Sequence, residues 1–155
     1  MDAVVQNGMI AGLKLKPKRI KSAWAYSSTG KVAADFVTGR TRDARDEWVY
    51  PLTGPEVFGW KRGDGFYPSN REFMVKTCCV ELLDMAALAA TETQLRLGIF
   101  NVRTGKTEYP IITPENISRV MMASYSLPLI APPFPIDGEL WADGERIART
   151  PATIE

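Results

Sequence analysis

From Ser69 to Ala90 apolar residues recur at three- and four-residue spacing: Phe73, Val75, Cys79, Leu82, Ala86 and Ala89. That period predicts a helix, with Thr77, Glu81 and Asp84 as a narrow polar stripe. Met74, Cys78, Leu83, Met85 and Leu88 widen the apolar surface well past one face. A helix apolar over most of its circumference is covered by other elements or by another subunit. Ser69 and Glu72 have capping-box spacing at its start, and Pro68 keeps the chain extended just before it.

The flanking segments alternate with shorter periods. Residues 1–13 show no clear period and predict a flexible or extended end. Leu13, Leu15, Ile20, Trp24 and Tyr26 then interleave with Lys14, Lys16, Lys18, Arg19 and Lys21. Pro17 within that run restricts it to an edge strand or to a chain lying across a partner. Ser22–Tyr26 and Val32–Val37 read as two strands of a hairpin closed by SSTGK. Residues 51–68 form a long Gly- and Pro-rich loop with interleaved aromatics, Trp60 among them. Gln94–Val102 alternates as a strand, Arg103–Lys106 turns, and Thr107–Ile112 returns. Thr113, Pro114 and Glu115 start a second helix running to Tyr125 and burying Ile117, Val120, Met121 and Tyr125. The run LPLIAPPFP is an extended crossing unable to pair regularly, and the last hairpin turns around Ala142-Asp143-Gly144.

This order gives an α+β domain: short antiparallel strands and hairpins packed on one long and one short helix, with an extended N-terminal arm. The expected boundaries are a basic arm over 1–26, one domain over 27–150 and a tail over 151–155.

Composition narrows the chemistry. The chain has 155 residues, enough for one domain with a real core, and it contains no histidine. That excludes an imidazole base, a Ser-His-Asp triad and any histidine-ligated zinc. Cys78 and Cys79 are neighbours, too close for an unstrained disulfide, and read as small core residues. No metal and no cofactor is expected. Net charge is +1, yet residues 3–34 carry six basic residues and no acid. Such a segment suits a negatively charged partner. Lys14, Lys16, Lys18, Arg19, Lys21, Trp24 and Tyr26, with Trp60, Lys61 and Arg62 in the aromatic loop, are the candidate residues for binding a partner or nucleic acid. Neither a signal-peptide pattern nor a membrane-spanning run stands out, so a reducing cytoplasmic origin is the expectation.

Motifs assign no catalytic residue. SSTGK lacks the earlier glycine and the final Ser or Thr of a phosphate-binding loop, since Val32 stands where that hydroxyl belongs. No G-x-S-x-G pattern of a nucleophile elbow occurs, and no dinucleotide fingerprint. Asp137, Glu139, Asp143 and Glu145 form an acidic cluster suited in principle to acid-base work or magnesium. Asp137-Gly138-Glu139-Leu140 resembles a short motif of nucleotidyltransferases such as DNA ligases, which also need an upstream Lys-x-Asp-Gly. Here Lys61-Arg62-Gly63-Asp64-Gly65 has one residue too many.

In its short hairpins and Asp-Gly turns, such as GELWADGERI from Gly138, the chain resembles accessory proteins of tailed-phage virions: decoration, adaptor or tail-completion subunits. That resemblance implies a non-enzymatic structural subunit of a virion or other large assembly, assembled in the host cytoplasm. It would be homo-oligomeric, bind neighbouring protein subunits through its arm and apolar helix, and have no membrane partner. The alternative is a nucleic-acid-binding or host-directed regulatory protein using the basic arm and the aromatic loop.

Overall fold

The computed structural model describes residues 2–13, 16–41, 56–57 and 69–144. Its organising strand is β2 (Gln94–Asn101), where alternation puts Leu95, Leu97 and Ile99 at 1%, 0% and 4% exposure on one face. Strand β1 (Ser22–Tyr26) runs parallel to it, from Ser22 opposite Gln94 to Tyr26 opposite Gly98. Strand β3 (Lys106–Glu108) is antiparallel to β2, and its register continues through Ile111 opposite Arg96. A hairpin of β4 (Phe134–Ile136) and β5 (Glu139–Asp143) completes the five-stranded sheet, with β5 antiparallel to β2 and Asp143 opposite Ile99.

One consequence of this register positions the site. Ile99 pairs with Glu108 on one edge and with Asp143 on the other. Arg96 likewise pairs with Ile111 and with Trp24. Because residues 106–111 keep a single register along β2, β1 and β5 must share the opposite edge, lying end to end. Their carboxyl ends therefore meet between Gly98 and Ile99, one residue step, about 3.3 Å, along β2.

Helices cover the face that carries Leu97 and Ile99. Helix α2 (Thr29–Val37) buries Val32, Phe36 and Val37. Its Gly30 lies so near the sheet that an added Cβ would stand 2.9 Å from Leu97 Cδ2, which explains a glycine there. The same helix holds a fully buried ion pair, Lys31 Nζ to Asp35 Oδ1 at 2.5 Å. Near the carboxyl side of the chain, α5 (Ile117–Ser124) buries Ile117, Val120 and Met121 and packs on β2, β4 and β5.

The α+β class and the strands at Ser22–Tyr26 and Gln94–Asn101 agree with the sequence reading, and so do the buried residues of the second helix. Other expectations are corrected. The first residues are not an extended arm, for Asp2–Leu13 is helix α1 and Ser22–Tyr26 belongs to the sheet. Residues Val32–Val37 are helical rather than a hairpin strand, because Val32, Phe36 and Ala33, Val37 are four apart and face the core. The long helix is broken. Asn70, not Ser69, caps α3 (Arg71–Val75) by accepting from the Phe73 amide at 3.1 Å, and the chain then widens into a π-helical stretch at Lys76–Glu81. Asp84 opens a new helix, α4 (Met85–Ala90), by accepting from the Ala87 amide at 2.8 Å. An aspartate that can cap an N-terminus competes with the interior of a longer helix. Phe134–Ile136 does pair, as β4, despite its proline, because Pro135 sits on an edge strand. The last hairpin turns at Asp137-Gly138, both at positive φ (51° and 83°), as a two-residue turn of this kind demands. Asp143-Gly144 instead ends β5. Cys79 is buried in the core as expected.

Candidate active site

Between β1 and α2 the chain passes through Ser27 at φ 46°. A non-glycine residue held there costs about 1–3 kcal/mol and persists only where its surroundings fix it. A serine at a strained strand-to-helix turn is the geometry of a nucleophile elbow. The pattern that usually signals it is altered, since Ala25 and Thr29 stand where G-x-S-x-G has glycines. Each substitute has a local reason. Ala25 is small and buried, and the Thr29 hydroxyl accepts from the Tyr26 amide at 3.0 Å and donates to the Tyr26 carbonyl at 2.5 Å, clamping the turn. Ser27 is itself bonded twice through its backbone: its carbonyl accepts from the Gly30 amide at 2.9 Å and its amide donates to Ser124 Oγ at 2.8 Å.

Asp143 arrives at the same place from the opposite direction. It is fully buried on the helix-covered face, opposite Ile99, and its amide donates to the Ser126 carbonyl at 3.1 Å. Gly144 follows it, and a Cβ there would stand 2.8 Å from the Gly98 carbonyl oxygen and 3.1 Å from Tyr26 Cδ1. Only a glycine lets the end of β5 press so closely on β2 and on the residue before the elbow. The buried Asp143 thus ends β5 one residue step along β2 from the end of β1, which leads into the strained turn at Ser27, and the chain has no imidazole.

The rest of the acidic cluster disperses. Arg103 grips Glu139 through Nε at 2.8 Å and Nη2 at 2.6 Å, which holds that carboxyl below the usual range. Asp137 lies at the surface, 3.4 Å from Arg119. Glu145 lies outside the described residues. Among the described residues no group of three or more His, Cys, Asp or Glu is placed to hold a metal ion.

The opposite face of the sheet is aromatic. Tyr26 and Tyr109 hydroxyls are 2.5 Å apart, Trp24 packs on Tyr109 at 5.0 Å, and Arg96 stands over Trp24 at 5.3 Å. Burial first, and then the bond to Tyr109, push the Tyr26 phenol well above its ordinary value, so it stays protonated through the neutral range. The Tyr26 ring crowds Gly98, where a Cβ would stand 2.2 Å from its Cε1. Gly98→Ala is therefore expected to cost about 1–3 kcal/mol of stability by forcing the ring aside. Chemical denaturation checks this, and Tyr26→Ala, by removing the ring, makes the two losses less than additive.

A groove of about 380 Å³ opens beside the elbow, lined by Ala23, Tyr26, Thr29, Val32, Ala33 and Phe36 among others. It lies between β1, α2 and Ile10 of α1 and is mostly apolar.

Of the residues singled out for partner binding, Lys16, Lys18, Arg19 and Lys21 are exposed around the turn before β1. Trp24 and Tyr26 join the aromatic face just described. Lys14, Trp60, Lys61 and Arg62 lie outside the described residues. Sequence reasoning passed over Ser27 and did not separate Asp143 from its acidic neighbours. The usable signal for Ser27 was a strand pattern at Ser22–Tyr26 followed at once by helical spacing from Val32, with the serine between them.

The family model of patatin-like phospholipases matches residues 3–154. No curated protein matches the chain. The match overturns the resemblance to phage accessory proteins, and with it the non-enzymatic virion subunit, its placement in a virion and the regulatory alternative. Short hairpins and Asp-Gly turns misled because they are devices of chain reversal common to many folds. With nearly its whole length matched, the chain belongs to the patatin-like phospholipase family.

Proposed function

We propose that this chain hydrolyses carboxylic ester bonds of lipids by acyl transfer through Ser27, with Asp143 as the base. The observation that carries this reading is the meeting of β1 and β5 on one edge of β2, which sets the turn with a serine at positive φ beside the strand end that bears a buried aspartate. The family's name points to the ester linkages of phospholipids.

In the first step Ser27 Oγ attacks the ester carbonyl carbon while its proton passes to the Asp143 carboxylate. The developing oxyanion needs fixed N–H donors. Ser28 follows the nucleophile at the N-cap of α2, where its backbone amide and the helix dipole suit that charge. Collapse expels the alcohol, which takes the proton from Asp143. Water then attacks the acyl-serine, gives its proton to Asp143, and releases the fatty acid as Ser27 is restored.

The apolar groove suits the acyl chain, whose buried methylenes each contribute about 0.8 kcal/mol. Wild-type protein is expected to hydrolyse p-nitrophenyl esters and to prefer a long acyl chain to a short one. Filling the groove by Ala33→Phe should lower kcat/KM for a dodecanoyl ester about tenfold or more and leave a butanoyl ester within a factor of about two. Equal loss on both esters removes the groove from the acyl site. Absence of hydrolysis by the wild type, under conditions where it is folded, overturns the whole reading.

A further inference from the structure

We infer that the carboxyl end of α5, Ser124 to Ser126, is a bracket that sets the nucleophile against its base, and that Ser124 is a positioning residue for Ser27. This rests on the reading of Ser27 and Asp143 as the reacting pair.

Two strands that meet end to end share no ladder bond across the junction, so their relative position must be set from outside. The bracket does this from one short segment. Ser124, fully buried, accepts the Ser27 amide on its Oγ at 2.8 Å and reaches the Gly98 carbonyl of β2 at 3.5 Å. Two residues on, the Ser126 carbonyl accepts the Asp143 amide at 3.1 Å. The nucleophile and the base thus hang from positions i and i+2 of the same turn, with a tie to the strand beneath them.

The turn is itself anchored. The Ser126 hydroxyl donates to the Met122 carbonyl at 2.7 Å and accepts from Arg71 Nη1. Arg71, buried on α3, also donates to the Pro132 carbonyl at 2.5 Å and lies over the Phe134 ring at 5.2 Å. A guanidinium on a different element therefore fixes the bracket and the chain that leads from it into β4.

The bracket also sorts the amides at the elbow. With the Ser27 N–H spent on Ser124, the donor left to face a substrate oxyanion is that of Ser28. Ser124 needs no contact with substrate for this; it acts through the backbone of Ser27.

The test measures ester hydrolysis, the rate of Ser27 labelling by an alkyl fluorophosphonate, and thermal unfolding for wild type, Ser124→Ala and Ser124→Thr. Ser124→Ala is expected to lower kcat and the labelling rate together by about 10- to 100-fold, with KM unchanged, because misplacement of a reacting group by about 1 Å has that scale of effect. Ser124→Thr, which keeps the accepting oxygen, should recover most of the loss. Amide exchange in the wild type gives a second reading that no variant's folding can blur: the Ser27 N–H is protected and the Ser28 N–H exchanges faster. A Ser124→Ala protein with kcat within a factor of about two of wild type, or losses that only track its folded fraction, overturns the bracket while hydrolysis itself stands. So does equally fast exchange of both amides. If wild type neither turns over nor labels at Ser27, the reading of the pair falls first and the bracket with it.

Discussion

Ser27→Ala is expected to abolish ester turnover, by about 10⁴-fold or more, while leaving the fold intact. Loss of a nucleophile in hydrolases of this kind removes nearly all catalysis beyond what binding and oxyanion stabilisation retain. A factor of 10⁴ corresponds to about 5.5 kcal/mol of transition-state stabilisation. The fold survives because the bonds of Ser27 among the described residues are through its backbone: its amide to Ser124 and its carbonyl to Gly30. Alanine at φ 46° bears the same steric cost as serine. The measurement is kcat for a long-chain ester together with mass-spectrometric detection of a fluorophosphonate adduct on the Ser27 peptide. An alanine variant that still hydrolyses the ester would move the nucleophile elsewhere, and an adduct on another serine would say where.

Asp143→Asn comes next in size. Asparagine has nearly the same shape and keeps the backbone bond to Ser126, but it cannot take the serine proton. Removing a general base costs about 10²- to 10⁴-fold. Both kcat and fluorophosphonate labelling should fall, because each begins with attack by Ser27 Oγ. Asp137→Asn and Glu139→Gln are the controls. Their carboxylates lie at the surface beside Arg119 and Arg103, so turnover should stay within a factor of about two. Equal losses at all three positions would mean that the acidic hairpin acts through its charge and that Asp143 has no special part.

These variants separate what looked alike in the linear chain. Asp137-Gly138 and Asp143-Gly144 are the same dipeptide six residues apart, and composition treats both as turns. The first is one, with both residues at positive φ. The second closes the buried end of a strand packed against α5, where its glycine is required by contact with Gly98 and Tyr26. Burial, and not residue type, distinguishes Asp143 from the turn residue Asp137.

The serine was hidden for a related reason. Recognition of an elbow from sequence depends on glycines at its flanks, which give room and freedom to a strained turn. Here a buried alanine and a hydroxyl clamp from Thr29 serve instead, so the turn is recognisable only by its dihedral angle and its partners.

What the residues determined unaided was local. Period-two alternation marked β1 and β2, the spacing of Ile117, Val120, Met121 and Tyr125 marked the buried face of α5, and the absence of histidine excluded an imidazole base. Such features depend on neighbours within one or two turns of chain and are written in the spacing itself. Tertiary structure alone decided the rest: that β1 and β5 would lie end to end on one edge of β2, and that the turn at Ser27 and the buried Asp143 would thereby stand at neighbouring strand ends. Those outcomes join residues more than a hundred positions apart, and only the competition among packed alternatives settles them.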